Sequence, residues 1–161
     1  MKKTSTPDLL DAAALRMAAA DLLSRREHSR RELLNKLASR ANSIDELHQV
    51  LDDLIQRGWQ SDRRYTESFV RGKSMRHTGP IRVSQELRQK GIDDMLAREV
   101  IRDAEVDWFD LAADAGLKKA VGLDLADQKQ KAKLYRFLAY RGFSADQIQY
   151  AMECCARGSK D

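Results

Sequence analysis

Leu87-Arg-Gln-Lys-Gly91-Ile92 and Leu138-Ala-Tyr-Arg-Gly142-Phe143 follow one pattern: an apolar residue, the last turn of a helix, a glycine and a second apolar residue. A glycine at that point can take the left-handed conformation that closes a helix without a Cβ clash. Leu37 holds the same place in an earlier helix. Leu37, Leu87 and Leu138 thus recur at a period of roughly 50 residues, within the range of stacked helical repeats. The first version lacks the glycine and has Ala41 and Asn42 before Ser43, a departure expected of a terminal repeat.

Working outward, helix starts are marked by capping pairs. Ser29 precedes Glu32, Ser43 precedes Glu46 and Ser144 precedes Gln147, each with the spacing that lets the two side chains satisfy free amide donors reciprocally. Phe143 and Ile148 flank the last of these as a hydrophobic staple. Gly58, Gly91, Gly142 and Gly158 mark stops, and Gly79-Pro80 marks a start. Apolar residues at helical spacing, such as Ile44, Leu47, Leu51, Leu54 and Ile55, complete the pattern. Together these predict helices over residues 8–27, 30–40, 44–57, 62–76, 80–90, 93–105, 107–120, 128–141 and 145–157.

Composition agrees with an all-α chain. There are 19 Leu and 20 Ala against 6 Val, 6 Ile and 4 Thr, so the residues that fit a pleated sheet are scarce. The nine helices group as three tandem three-helix repeats, about 1–58, 59–106 and 107–161, expected to form one continuous, elongated unit. Lys2 and Lys3 are followed by Pro7, Asp8, Asp11 and Arg16, so neither a secretory leader nor a membrane span is expected. The adjacent Cys154 and Cys155 cannot join distant parts of a fold and read as free thiols of a cytoplasmic protein.

Net charge is only +4, but its distribution is uneven. The second helices carry Arg30, Arg31, Lys36, Arg40, Arg82, Arg88, Lys90, Lys129, Lys131, Lys133, Arg136 and Arg141 against Glu32 and Glu86. The third helices lean the other way, with Asp45, Glu46, Asp52, Asp53, Asp93, Asp94, Glu99, Asp103, Asp146 and Glu153. Regular stacking would align the second helices as a basic stripe suited to a phosphate backbone or an acidic groove. The candidate binding residues are Arg57, Arg63, Arg64, Arg71, Lys73, Arg76, Arg82, Arg88, Lys90, Lys129, Lys133 and Arg136, centred on the middle repeat.

Other functions fit less well. Leu87–Ile101 reads as helix, glycine turn, helix, the outline of a helix-turn-helix transcriptional regulator. Its second helix, however, carries Asp93, Asp94, Glu99 and Asp103, which repel the phosphates flanking a major groove. No phosphate-cradling glycine loop occurs, and His28, His48 and His77 are too scattered for a metal-binding helix face, so they read as surface or capping residues. Neither an enzyme nor a cofactor is expected. Of the aromatics near the basic middle region, Tyr65 and Phe69 have the spacing of a core face, which leaves Trp59 as a base-stacking candidate.

The stretch RGKSMRHTGPIRVSQELRQKGI, Arg71–Ile92, resembles the middle repeat of the RecX family. RREHSRRELLNKLASR, Arg25–Arg40, is similar to that family's opening repeat, and YRFLAYRGFSADQI, Tyr135–Ile148, to its closing one. The family commonly has paired aspartates just after the Gly58 position, where this chain has Ser61-Asp62. The resemblance implies a curved helical-repeat protein that lies in the groove of the RecA filament on single-stranded DNA. It further implies control of strand exchange, ATPase and coprotease activity in recombination, DNA repair and the SOS response. It leaves direct DNA binding open, and a repeat protein of this kind does not demand a second copy, so a monomer is expected.

Overall fold

The computed structural model describes residues 8–160; Lys2, Lys3 and Pro7 lie outside the described residues. The element order is α1 (Ala12–Arg25), α2 (Arg30–Leu37) prolonged by a 3-10 turn (Ala38–Arg40), α3 (Ile44–Gln56), α4 (Asp62–Met75) and α5 (Pro80–Gln89). It continues through α6 (Asp94–Asp103), α7 (Trp108–Ala120), α8 (Gln128–Tyr140) and α9 (Ala145–Arg157). These nine helices, with no strand among the described residues, make the all-α fold of three-helix repeats that the periodicity predicts. The chain divides into two compact units: the residues up to Thr66 with Lys90–Ile92, and Glu67–Gln89 with the residues from Asp93 onward.

The local signals act largely as predicted, with three differences, the first being that Ile44 and Ile55, read as part of the apolar face of α3, are exposed while Leu47, Leu51 and Leu54 are buried. Ser29–Glu32 and Ser144–Gln147 form complete capping boxes, whereas Ser43 accepts from the Glu46 amide without the return bond. The first helix begins at Ala12 rather than residue 8, because Leu10 is drawn into an extended bridge with Ala41 and Asp11 then caps the helix through the Ala14 amide at 2.9 Å. Aspartates also cap α6, α7 and α8, through Asp93, Asp107 and Asp127.

In the first unit α1, α2 and α3 close over Leu15, Ala19, Leu33, Leu37, Leu47, Val50, Leu51 and Leu54, all buried. Fully burying each leucine stabilises the fold by about 1.5–3 kcal/mol relative to exposure. In the second unit α7, α8 and α9 enclose Leu134, Leu138, Phe143 and Ile148 together with Ala112, Ala115, Ala151 and Cys155. Small residues let α7 and α9 approach closely: a Cβ placed on Gly116 would sit 3.0 Å from the Cys155 sulfur. Both cysteines are free and buried, and burial pushes the Cys155 thiol up, away from the reactive thiolate.

The turns between second and third helices share a task that their sequence similarity alone does not reveal. Each receives an incoming stretch of backbone. Leu10 donates its amide to Arg40 O at 2.7 Å and accepts from Asn42 N–H at 2.9 Å. Ser29, the cap of α2, donates its hydroxyl to Lys90 O at 2.8 Å. Gly79 donates to Arg141 O at 2.8 Å, and Ile81 to Gly142 O at 3.0 Å. Where the visitor is the bulky start of a helix, the receiving turn carries a glycine: Gly91 lies under the Arg31 side chain and Gly142 under Arg82. Where it is a single extended residue, Ala41 suffices.

Candidate nucleic-acid interface

The twelve candidate side chains separate into two groups once their partners are known. Six are engaged with other side chains or with backbone. Arg57 pairs with Asp53 at 2.9 Å, and Arg64 with Glu27 at 3.0 Å while also donating to the Gly58 and Trp59 carbonyls. Lys73 pairs with Glu86 at 3.0 Å and lies 5.3 Å from the Phe69 ring centre. Arg82 reaches the same Glu86 at 3.6 Å, and Arg88 holds Asp94 through two bonds of 3.1 Å. Arg63, exposed on α4, is also engaged.

The other six are Arg71, Arg76, Lys90, Lys129, Lys133 and Arg136, all exposed and without an ion pair among the described residues. Three of these lie on α8, whose sequence Gln128–Tyr140 contains no carboxylate. Lys129, Lys133 and Arg136 are spaced four and three apart, so they stand one above another on a single helix face. Lys131 adds a further exposed cation to the same helix. The first turn of α8 therefore holds two lysines where the positive end of the helix dipole would favour acids, a placement that works against helix stability.

Arg141, at the end of that helix, is spent on structure. Its guanidinium donates to His77 O at 3.1 Å, to Arg76 O and to the Thr78 hydroxyl at 3.4 Å, tying the α4–α5 loop to the α8–α9 turn. His77 in that loop has φ 56° and occupies the left-handed position after α4, with its amide on Ser74 O and the Thr78 amide on Lys73 O. Thus α4 ends in the hydrogen-bonding pattern usually given to glycine, with histidine in its place.

Two residues read differently from their sequence context. His28 is buried rather than a surface residue, with Nδ1 3.0 Å from Arg26 O, and burial holds its pKa below the usual histidine value. Asp62, the aspartate that follows Ser61, is a joint. Its Oδ1 accepts from the Arg30 amide and from Gln60 Nε2, both at 2.9 Å, which fixes the start of α2.

Among the aromatics, Tyr65 is buried, and its hydroxyl is pushed up by burial and by the charge of Glu32, to which it hydrogen-bonds. Glu32 is itself held below the usual carboxylate range: burial works against ionisation, but hydrogen bonds from Arg26, the Ser29 amide and Tyr65 outweigh it. Phe69 is half-buried and Trp59 is 49% exposed. Charge and spacing alone left Tyr140 unnoticed. It is 74% exposed, and the guanidinium of Arg82 lies 5.0 Å from its ring centre. Its position four residues beyond Arg136 and seven beyond Lys133 was the available signal.

Fold and surface together define an all-helical repeat protein with a cationic face; among the described residues no cluster of His, Cys, Asp and Glu could hold a metal ion, and no helix is long and apolar enough to cross a membrane. Residues 61–101 match the RecX second three-helix domain and residues 105–152 the RecX third three-helix domain. The regulatory protein RecX of Neisseria meningitidis serogroup A is 46% identical over 140 residues, covering 87% of this chain and 90% of the relative. That of Halorhodospira halophila is 44% identical over 139 residues, 86% of each chain. The crystal structure of RecX from Lactobacillus salivarius superposes with a TM-score of 0.78 at 26% identity, over 89% of this chain and 95% of that one. The chain belongs to the RecX family of regulatory proteins.

Proposed function

We propose that this protein is a non-enzymatic, cytoplasmic regulator of homologous recombination and the SOS response that binds the RecA filament on single-stranded DNA. It lies in the filament groove as a monomer of three tandem repeats, about residues 1–58, 59–106 and 107–161, and hinders strand exchange, ATP hydrolysis and coprotease activity. Membership of the RecX family supports this choice of partner. The observation that carries the mode of binding is the acid-free helix α8 with Lys129, Lys133 and Arg136, which have no ion pair among the described residues. Unpaired cations meet phosphate without first surrendering a carboxylate, so Arg71, Arg76, Lys90 and the α8 row contribute more than the paired Arg57, Arg64, Lys73, Arg82 and Arg88.

The test is binding of labelled protein to single-stranded DNA alone and to the same DNA coated with nucleotide-bound RecA, over a salt series. Tighter binding to the coated strand, accompanied by slower ATP hydrolysis, is expected. Equal binding to both would remove the recombinase from the account and leave a general nucleic-acid-binding protein.

A further inference from the structure

We propose that Tyr140 is a base-stacking residue, which places an extruded base of single-stranded DNA at the end of a phosphate track formed by Lys129, Lys133 and Arg136. The inference rests on reading the α8 surface as the nucleic-acid face and deepens it by naming a direct, sequence-tolerant contact to a base.

Three observations converge. The first is exposure: Tyr140 presents 74% of its surface to solvent at the last position of α8, although a tyrosine ring is normally covered on at least one side by the core. The second is the geometry around the ring. The Arg82 guanidinium lies 5.0 Å from the ring centre and one of its nitrogens is 3.4 Å from the Tyr140 carbonyl, so one face of the ring is backed by a cation that is itself held by the Tyr140 backbone. An exposed ring backed in this way offers its remaining face for stacking, and every base has a π-face to meet it. The third is register. Lys129, Lys133, Arg136 and Tyr140 fall at steps of four, three and four, all exposed and on one helix face. At about 1.5 Å per residue the row runs for about 16 Å, enough for a few nucleotides.

The chemistry favours nucleic acid over an acidic protein surface. A run of acidic side chains would satisfy the lysines but in itself offers no flat partner for the ring, whereas a single strand supplies anionic phosphates and planar bases in alternation. Double-stranded DNA has its bases stacked inside the helix and would use only the cations. The neighbouring structure holds the platform still. Arg141, next in sequence, is locked onto the carbonyls of Arg76 and His77, and Gly142 accepts the Ile81 amide at 3.0 Å.

Binding of the full chain to a fluorescent oligothymidylate without recombinase, for the wild type and for Tyr140→Phe and Tyr140→Leu, tests the proposal. Phenylalanine keeps the ring and should bind within about two-fold of wild type; leucine removes it and should weaken binding by at least about five-fold, the low end of a lost base–aromatic stack. The thermal midpoints should stay together, since the side chain is exposed. Neither substitution should change binding to a duplex of equal length. Wild-type affinity in Tyr140→Leu overturns the proposal, as does an equal loss on duplex or on polyglutamate, which would assign the ring to a different partner. A wild-type protein that ignores the bare oligonucleotide but binds the coated strand also overturns it, while leaving the filament reading intact; failure of the filament reading would show instead as no preference for the coated strand.

Discussion

Replacing Gly142 by alanine tests the joint on which the α8–α9 turn is built. The backbone there has φ 96°, and a Cβ would lie 2.3 Å from Arg82 Cβ, 2.7 Å from Arg82 N and 3.0 Å from Arg82 Cα. The left-handed conformation costs a non-glycine residue about 1–2 kcal/mol. Arg82 sits in the first turns of α5 and cannot retreat without stretching the Ile81 N–H to Gly142 O bond, so overpacking adds about 1–3 kcal/mol. The expected loss is therefore about 2–5 kcal/mol, a large share of the roughly 5–15 kcal/mol of a typical domain. Gly58 provides the control: its φ is 73° and a Cβ added there would meet nothing within 4 Å, so Gly58→Ala should show the conformational cost alone, about 1–2 kcal/mol. Urea unfolding followed by far-UV circular dichroism measures both. If Gly142→Ala loses no more than Gly58→Ala, the close approach of α5 to the turn is not a constraint on this fold.

Further outcomes follow from the loop, the buried histidine and the α8 row. His77→Gly should stabilise the protein by about 0.5–1 kcal/mol, because glycine relieves the left-handed cost at φ 56° and returns part of the gain as chain entropy; a lowered thermal midpoint would contradict this. His28 has a folded pKa below 6.5, mainly through burial, so the unfolded chain takes up the proton first as pH falls. Stability is then greatest above that pH and declines as the solution is acidified below it. A wild-type urea midpoint that is flat between neutral pH and mildly acidic pH, and unchanged by His28→Gln, would show that this burial carries no linkage. Lys129→Glu should act in opposite directions on two readouts. It should raise α8 stability by about 0.3–1 kcal/mol through the helix dipole. It should also weaken single-strand binding and flatten its salt dependence by about 0.7 in log–log slope. A variant that binds as wild type at every salt concentration would exclude Lys129 from the interface.

Much of the fold was legible because its signals are local. A serine three residues before a glutamate or glutamine reports a helix start whatever lies around it, and Ser29 and Ser144 behave accordingly. The return bond missing at Ser43, and the late start of α1 at Ala12, depend on neighbours that are remote in sequence, such as Ala41 opposite Leu10. The candidate interface was legible as a list of cations but not as a set of free ones. Arg64 finds Glu27, Arg30 finds Asp52 and Lys73 finds Glu86 across separations that no helical spacing announces.

The sequence by itself determined the class: an all-α chain of repeated three-helix units, with leucines at matched positions, glycines after the second helices and basic residues concentrated on them. These are properties of composition and of spacing within about four residues, the range over which a helix backbone couples its own side chains. Tertiary structure alone decided which charges are neutralised, why Gly91 and Gly142 recur, and that Tyr140 stands exposed beneath Arg82, 58 residues away in the chain. Those outcomes depend on which helix start is received by which turn, and that is settled by packing between segments far apart in sequence.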